Sequence, residues 1–330
     1  MELVPTRKLQ LYAGRAHLPL AERIAEHLDV HLGDPNIVDF ASGEIRCRFG
    51  ESVRGADVFI VQTHAQAGNR SVNDALMEHL IMIDAAKRAS AKRITAVMPF
   101  YGYSRQDRKS KGREPITAKL VADLFTVAGA DRLMSVDLHT GQIQGFFDGP
   151  VDHLTALPVL TDYLRRSEVG DVAIVAPDTG RTKVAEQLAR RLGVDNVASV
   201  FKTRSKDHVN QAQALGVMGA EVVDGRTCVL IDDMIDTAGT ICAAADILME
   251  YGATEVWAMA THPVLSGPAI DRLKNSVLTK LVVTDTIPLP SEKQIDKIEV
   301  VSVAPLIADA IDAVFEDSSV SEIFGGENQS

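Results

Sequence analysis

The sequence predicts an α/β protein made of two doubly wound, parallel-sheet domains of similar topology. Three observations lead to this prediction. Short apolar segments alternate with longer amphipathic segments along the whole chain. The chain has 330 residues, which is enough for two domains of common size. The stretch 145–150, Gly-Phe-Phe-Asp-Gly-Pro, interrupts the alternation near the middle of the chain.

The apolar segments predict strands on both sides of that interruption. The strands expected before it lie at residues 9–13, 37–40, 58–62, 94–98 and 133–136. Those expected after it lie at 172–176, 197–201, 228–231, 256–260, 281–283 and 300–303. Amphipathic helices are expected at 74–87, 117–128, 182–192, 241–251 and 305–315. We therefore expect an N-terminal α/β domain over 1–149, a C-terminal α/β domain over 150–305, and a final helix and tail, 306–330, that packs on the N-terminal domain.

Composition narrows the class of protein. The net charge of -11 and the isoelectric point near 5.3 argue against nucleic-acid binding, which usually needs a broad basic face. No apolar run approaches the roughly 20 residues of a membrane-spanning helix, and the first residues, 1–8, lack the apolar core of a secretory signal. The three cysteines have no metal or redox spacing. We expect a cytoplasmic protein with neither nucleic acid nor a membrane as a partner.

The segment 229–240 is the most informative part of the chain. Its apolar start predicts a buried parallel strand, and Asp232 and Asp233 follow at the expected carboxyl end. A loop of small and hydroxyl residues then opens a helix, and such a loop can surround a phosphate with backbone N–H groups. The two acids can accept hydrogen bonds from sugar hydroxyls or from a metal's water shell. The segment therefore indicates a sugar-phosphate site, and an Asp-rich turn that caps a helix is the alternative.

A cluster of basic residues lies in the segment 105–113 of this acidic protein. Its members are Arg105, Arg108, Lys109, Lys111 and Arg113, against the single acid Asp107. Guanidinium groups bind phosphate oxygens in a bidentate manner, and Gln106 can read a base edge or a hydroxyl. The cluster indicates a small polyanionic ligand. A solvated loop with random charge is the alternative.

Polar residues follow three more of the predicted strands, in the segments 137–139, 177–181 and 202–206. Ligands of open α/β sheets bind outside the carboxyl ends of the strands, so each segment is a candidate for binding. Taken alone, each also has an ordinary interpretation. The segment 137–139 can carry a structural histidine, 177–181 can be a turn that ends a strand, and 202–206 can be a solvated basic loop.

Several of these segments resemble the ribose-phosphate pyrophosphokinase (phosphoribosyl pyrophosphate synthetase) family. The segment 101–109, Tyr-Gly-Tyr-Ser-Arg-Gln-Asp-Arg-Lys, followed by 113–119, is similar to a family signature that nucleobase phosphoribosyltransferases lack. The segment 137–147 is similar to the family's Asp-Leu-His-x-x-Gln-Ile-Gln-Gly-Phe-Phe. The segment 229–240 resembles the sugar-phosphate loop that the family shares with type I phosphoribosyltransferases. The resemblance runs from about Leu9 to Phe324 and implies a phosphoribosyltransferase-like fold.

The resemblance implies a reaction and a set of ligands. The diphosphoryl group of ATP would pass to the 1-hydroxyl of ribose 5-phosphate, giving 5-phosphoribosyl 1-diphosphate and AMP, with Mg²⁺ as the metal. The N-terminal domain would bind ATP and form the contacts of a homohexamer, and the C-terminal domain would bind ribose 5-phosphate. Inorganic phosphate would activate and ADP would inhibit. A nucleobase phosphoribosyltransferase and a non-catalytic regulatory homologue remain as alternatives.

The resemblance also implies roles for individual residues. The implied catalytic residues are Lys202 and Arg204. The implied ATP-binding residues are Arg105 and Gln106, together with Ser42, Gly43 and Glu44 from a neighbouring subunit. The implied ribose 5-phosphate-binding residues are Arg204, Asp232, Asp233, Asp236, Thr237, Ala238, Gly239 and Thr240. The implied metal ligands are His139 and Asp178.

Two positions depart from the commoner family pattern. The family usually has Pro-Asp-His-Gly-Gly at 177–181, where this chain has Thr179 and Arg181. The departure removes an imidazole and adds a cation, which we expect near the nucleotide. The segment 261–269 also matches the family, and we assign it mainly to packing at the end of the sheet.

Overall fold

The computed structural model describes residues 7–203 and 214–324. The chain folds into two compact units, and the predicted α/β class is confirmed. Unit 1 consists of Met1–Thr155, Thr286–Pro288 and Ser302–Ser330. Unit 2 consists of Ala156–Asp285 and Leu289–Val301.

The described residues form strands and helices in regular alternation. The strands are β1 (Leu9–Ala13), β2 (Leu32–Gly33), β3 (Val38–Asp39), β4 (Ile45–Arg46), β5 (Asp57–Val61), β6 (Arg93–Met98), β7 (Arg132–Val136), β8 (Val151–Leu154), β9 (Val172–Ala176), β10 (Val197–Thr203), β11 (Ala214–Met218), β12 (Thr227–Ile235), β13 (Glu255–Pro263), β14 (Lys280–Thr284) and β15 (Ile298–Val301). The helices are α1 (Leu18–His27), α2 (Val72–Arg88), α3 (Thr117–Ala128), α4 (Leu157–Arg166), α5 (Thr182–Leu192), α6 (Gly239–Glu250), α7 (Ala269–Asn275) and α8 (Ala304–Phe315).

The sheet of unit 1 is entirely parallel and has the strand order β2-β1-β5-β6-β7-β8. Its inner strands are buried along their length, as expected where helices cover both faces. Helix α8 packs on α1, which brings the end of the chain back to unit 1. Strands β3 and β4 form a separate antiparallel hairpin.

The sheet of unit 2 has the order β11-β10-β9-β12-β13-β14-β15. All its neighbouring strands are parallel except β10 and β11, which pair as an antiparallel hairpin. The strand order reverses between β9 and β12, because the chain first winds outward through β10 and later returns to β12. Such a reversal opens a crevice at the carboxyl ends of the two strands. The segments that leave β9 and β12 are therefore placed to form a site.

Several predicted boundaries differ from those of the structure, among them the end of unit 1 and the end of β12. Unit 1 extends to Thr155 and not to 149, because β8 pairs with β7 and completes the first sheet. Strand β12 extends to Ile235, although the apolar run predicted an end at 231. The sequence also did not predict the short strands β2, β4, β8 and β11 or the helices α1, α4 and α7. None of the described helices is long and apolar enough to cross a membrane.

Two histidines in the core of unit 1 form a hydrogen-bonded pair. The Nε2 atom of His64 lies 3.1 Å from Nδ1 of His79, whose own Nε2 lies 3.1 Å from the carbonyl oxygen of Ile60. The backbone N–H of Gly102 donates to Nδ1 of His64 at 3.3 Å, and the Phe125 ring stacks on His64. Because Nδ1 of His64 accepts from Gly102, His64 donates through Nε2 to Nδ1 of His79, and His79 donates through Nε2 to Ile60. Both rings therefore have all their hydrogen bonds in the neutral form. Burial lowers the pKa of His64 to about 3.

We expect this pair to make stability fall on acidification. Burial also lowers the pKa of His79, so the unfolded chain binds protons below about pH 6.5 that the folded chain does not. Each histidine then destabilises the fold by about 1.4 kcal/mol per pH unit as the pH falls below that value. Thermal midpoints measured between pH 5.5 and 7.5 should therefore fall steeply on the acid side.

The variant His64→Gln removes one titrating ring and keeps an amide donor for His79. Its midpoint should fall about half as steeply with acidification, even if it starts lower at pH 7.5. The exposed His31→Gln is the matched control and should follow the wild type. An unchanged slope in His64→Gln would contradict the account.

Candidate active site

Strand β12 carries two carboxylates beyond the end of its neighbour β9. The last paired residues of these strands are Leu230 and Val175, whereas β12 stays paired with β13 as far as Ile235. Asp232 and Asp233 therefore lie within a strand that has a partner on one side only. This corrects the expectation that they follow the strand, and it holds their backbone more firmly than a loop would.

A cation from the segment after β9 lies against both acids. The Nε atom of Arg181 lies 2.9 Å from Oδ1 of Asp232, and its Nη2 lies 2.5 Å from Oδ1 of Asp233. The backbone N–H of Asp233 also donates to Oδ1 of Asp232 at 2.8 Å. Arg181 thus contacts both acids, and the expectation that it adds a cation near the nucleotide stays a prediction.

Ionising both Asp232 and Asp233, here called the acid pair, costs electrostatic free energy even with Arg181 as a partner. Burial raises the pKa of Asp232, the charge of the neighbouring Asp233 raises it as well, and Arg181 acts in the opposite direction. Two carboxylates and one guanidinium leave an excess of negative charge in a place with little water. Further hydrogen-bond donors at the carboxylate oxygens would stabilise the ionised forms. Sugar hydroxyls are donors of this kind, and a carboxylate has room for several.

The loop 236–240 has the geometry of an anion site. The carboxylate of its first residue, Asp236, accepts a hydrogen bond from the hydroxyl of Ser266. Ala238 has a left-handed backbone with φ of 59°, and the 12-residue helix α6 begins at Gly239 without a side-chain cap. The first N–H groups of a helix lack partners within the helix and carry partial positive charge. They are therefore available to a phosphate.

A second cation supports this loop. The Nη1 atom of Arg272, on α7, donates to the carbonyl oxygen of Thr237 at 2.9 Å. A Cβ atom placed on Gly239 would lie 3.2 Å from the same nitrogen, so the guanidinium lies directly beside the turn. Arg272 thus holds the loop and adds positive charge near it. Neither Arg272 nor Ser266 was among the predicted site residues.

In unit 1, one buried acid joins the two polar segments that follow β6 and β7. The Oδ2 atom of Asp107 accepts from Thr140 Oγ1 at 2.9 Å and from Gln142 Nε2 at 2.7 Å. This contact ties the basic cluster to the segment that carries His139, which is half-buried. The predicted ATP-binding pair, Arg105 and Gln106, is exposed at the same place.

The rest of the loop after β6 is also well ordered by hydrogen bonds. The side chain of Gln106 accepts from Thr117 Oγ1 at 2.6 Å, and its carbonyl oxygen accepts from the N–H of Ala118 at 3.1 Å. Gly102 allows the loop to pass the histidine pair, since a Cβ there would lie 2.7 Å from Cβ of His64. The five basic side chains of the cluster all face solvent.

The predicted segment 42–44 forms the tip of the β3–β4 hairpin. Gly43 has φ of 90°, and the N–H of Phe40 donates to the carbonyl oxygen of Glu44 at 2.8 Å. Gly43 also lines a cavity of about 580 Å³ together with Arg15 and Arg70. The hairpin therefore presents these residues on the surface of unit 1.

The two implied metal ligands lie at strand ends in different units. Asp178 follows β9, where its Oδ1 accepts from the N–H of Gly180 at 2.8 Å, and His139 follows β7. The described ranges contain no cluster of three or more metal-ligating side chains. One carboxylate and one imidazole do not make a closed protein cage for a cation. The carboxylate of Asp178 suits Mg²⁺, which prefers oxygen ligands and is commonly held by one or two protein groups, substrate phosphates and water, whereas an imidazole is an unusual ligand for this ion.

The implied catalytic residues are only partly described. The backbone of Lys202 lies in β10, where it pairs with Leu215 of β11, rather than in a loop. Arg204 lies outside the described residues, as does the rest of the segment 204–213.

Two doubly wound units, each with charged residues at the carboxyl ends of its strands, define an α/β enzyme. Residues 9–129 match the N-terminal domain of ribose phosphate pyrophosphokinase, and residues 193–325 match the phosphoribosyl synthetase-associated domain. The ribose-phosphate pyrophosphokinase of Bifidobacterium longum is 55% identical over 327 residues, which cover 98% of this chain and 94% of that protein. The Streptomyces avermitilis enzyme of the same name is 54% identical over 319 residues, with 96% of each chain covered.

A solved structure agrees with these relatives. The crystal structure of phosphoribosylpyrophosphate synthetase from Mycobacterium smegmatis is similar with a TM-score of 0.87 and 51% identity. The match covers 94% of this chain and 100% of the other. This chain belongs to the ribose-phosphate pyrophosphokinase family, as the motifs predicted.

We expect Asp107 to be required for the order of the loops after β6 and β7. The variant Asp107→Ala removes the buried acceptor shared by the half-buried Thr140 and the exposed Gln142, and each lost hydrogen bond costs about 0.5–1.5 kcal/mol. Amide hydrogen exchange should accelerate in the segments 105–113 and 139–144, and the thermal midpoint should fall. Asp84→Ala is the control, because Asp84 forms only an exposed ion pair with Arg88 on α2. Equal exchange in wild type and Asp107→Ala would refute the role.

Proposed function

We propose that this chain transfers the diphosphoryl group of ATP to the 1-hydroxyl of ribose 5-phosphate, giving 5-phosphoribosyl 1-diphosphate and AMP. Membership of the family, at more than half identity over nearly the whole chain, supports the reaction. The structural observation that carries the proposal lies in unit 2. There a single strand–loop–helix segment presents an acid pair and an open helix N-terminus next to each other.

The sugar phosphate is proposed to bind along this segment. The 5-phosphate would accept hydrogen bonds from the backbone N–H groups and hydroxyls of 236–240, at the positive end of α6. The 2- and 3-hydroxyls would donate to the carboxylates of Asp232 and Asp233. The Asp236–Ser266 and Arg181 contacts support this arrangement, because they give the acids of the segment donors of their own and so reduce their repulsion of a phosphate.

The nucleotide is proposed to bind at the loop after β6. Arg105 and Gln106 would contact ATP, and Ser42, Gly43 and Glu44 would reach it from a neighbouring subunit. The exposed positive charge of the cluster 105–113 supports the binding of a polyphosphate. The Asp107 contact keeps this loop next to the segment of His139.

His139 and Asp178 are each proposed as a ligand of magnesium, in addition to oxygens of the nucleotide. When bound, it would offset negative charge on the phosphate oxygens and orient them. Asp178 suits this role, since its carboxylate is exposed and its turn is fixed by the bond from Gly180.

The proposed chemistry is one displacement at the β-phosphorus. A bond forms between the 1-hydroxyl oxygen of the sugar and this phosphorus, the bond to the α-phosphate oxygen breaks, AMP leaves, and the hydroxyl proton passes to solvent. Charge spreads over the phosphoryl oxygens in such a transition state. Lys202 and Arg204 would donate hydrogen bonds to these oxygens and to the leaving AMP. Positioning and electrostatics would supply most of the acceleration.

Further properties are proposed from the family resemblance. Unit 1 would carry the ATP site and the contacts of a homohexamer. Inorganic phosphate would activate, ADP would inhibit, and the protein would act in the cytoplasm. Size-exclusion chromatography with light scattering would test the assembly.

We expect the purified chain to form AMP from ATP and ribose 5-phosphate with Mg²⁺ and without any nucleobase. This separates the proposed reaction from that of a nucleobase phosphoribosyltransferase, which needs a base. A coupled AMP assay, run with and without inorganic phosphate and ADP, measures catalysis and regulation together. The variant Lys202→Ala should lower kcat by about 100-fold or more, while the affinity for ribose 5-phosphate changes less.

The variant Lys202→Arg keeps the charge and serves as the comparison, with an intermediate kcat expected. No AMP from the wild-type chain would favour the regulatory homologue. Near-normal turnover in Lys202→Ala would refute the catalytic role of this lysine.

A further inference from the structure

Arg181 lies at a defined turn between β9 and α5. The backbone N–H of Arg181 donates to the carbonyl oxygen of Asp178 at 3.2 Å, and the backbone N–H of Gly180 donates to Oδ1 of the Asp178 side chain at 2.8 Å. These bonds form one tight turn, 179–181, immediately before α5 starts at Thr182. The position of the Arg181 backbone is therefore fixed by local structure and not by its side-chain contacts.

The Arg181 side chain is largely buried against the acid pair. Its exposed fraction is 17%, compared with 17% for Asp232 and 8% for Asp233. One guanidinium edge contacts Oδ1 of both carboxylates, at 2.9 and 2.5 Å. This geometry fixes the rotamers of two neighbouring acids with a single planar group, as a lysine ammonium would not.

The fold does not require this contact for the backbone of β12. Asp232 is in register with Ala260 of β13, and the pairing continues to Ile235. Backbone pairing with β13 therefore holds β12 on one side even if the side-chain contacts of Arg181 are lost. What the arginine contributes is the orientation of the two carboxylates and positive charge between them, because two like charges at this depth repel each other.

We propose that Arg181 is a positioning residue that determines recognition of the sugar hydroxyls. It holds Asp232 and Asp233 as oriented carboxylates whose remaining acceptor capacity faces the 2- and 3-hydroxyls of the pentose. This inference rests on the proposed function, since it needs the sugar to bind at the acid pair. The inference extends the proposed function, because it predicts that the site selects pentose phosphates that carry a 2-hydroxyl.

The expected consequence is a loss of discrimination between two sugars. A site built to hydrogen-bond a hydroxyl rejects the analogue that lacks it, because its polar groups are left unpaired. Without Arg181 the acids are no longer held for the 2-hydroxyl, so ribose 5-phosphate loses more affinity than 2-deoxyribose 5-phosphate. A residue that only stabilised the fold would weaken both sugars alike.

The test measures dissociation constants of both sugars by calorimetry for wild type, Arg181→Ala and Arg181→Lys. Arg181→Ala should bind ribose 5-phosphate about 30-fold more weakly, and its ratio of the two constants should fall by about tenfold. Arg181→Lys should be intermediate, because it keeps the charge and loses the planar geometry. In both Arg181 variants the KM for ATP should change by less than about twofold, because the effect is confined to the sugar site.

The matched control is Arg190→Ala, which removes an exposed arginine from α5 and should leave both sugars unchanged. Circular dichroism and thermal midpoints check folding. If Arg181→Ala does not fold, the ratio in Arg181→Lys decides, and a ratio equal to that of wild type overturns the proposal. Tighter binding of ribose 5-phosphate by either variant overturns it too, since Arg181 would then compete with the sugar.

A further variant separates this inference from the proposed function. Asp232→Asn should weaken ribose 5-phosphate if the sugar binds at the acid pair. If Asp232→Asn has no effect, the proposed sugar site is wrong. If it weakens binding while the Arg181 variants keep the wild-type ratio, the site stands and only the role of Arg181 is wrong.

Discussion

The site depends on one electrostatic constraint: two adjacent carboxylates lie half-buried beside a loop that is suited to a phosphate. Left alone, Asp232 and Asp233 would repel each other and the incoming anion. Two arginines contact the segment 232–240 and supply positive charge: Arg181 contacts the two acids, and Arg272 contacts the loop. The third acid of the segment, Asp236, is hydrogen-bonded by the hydroxyl of Ser266. In the proposed function, the two acids would bind the sugar hydroxyls and the loop would bind the phosphate.

Topology explains why these groups meet. Parallel strands bring their carboxyl ends to one edge, and the reversal of strand order at β9 and β12 leaves room there. The turn after β9 carries Asp178 and Arg181, and β12 carries the acid pair, so the proposed metal ligand Asp178 and the proposed sugar-binding acids arise from neighbouring strands. Unit 1 uses the same principle after β6 and β7, where Asp107 joins the basic cluster to the segment of His139.

The sequence predicted the local parts of this arrangement well. The apolar run, the acid pair, the small-residue loop and the helix after it all occur in the predicted order, because each depends on nearby residues. The extent of β12 was missed, since pairing with β13 carries the strand through two charged residues that have low strand propensity. The contacts of Arg181, Ser266 and Arg272 were missed for the same reason: each joins residues far apart in the chain, and no local pattern encodes the partner.

A crystal structure of the protein soaked with ribose 5-phosphate tests the central claim most directly. The account predicts that the phosphate lies against the backbone N–H groups of 236–240 at the start of α6. It also predicts that the ring hydroxyls contact Asp232 and Asp233, with Arg181 still bridging the acids. A sugar bound elsewhere, or a loop left empty at saturating concentration, would contradict the account.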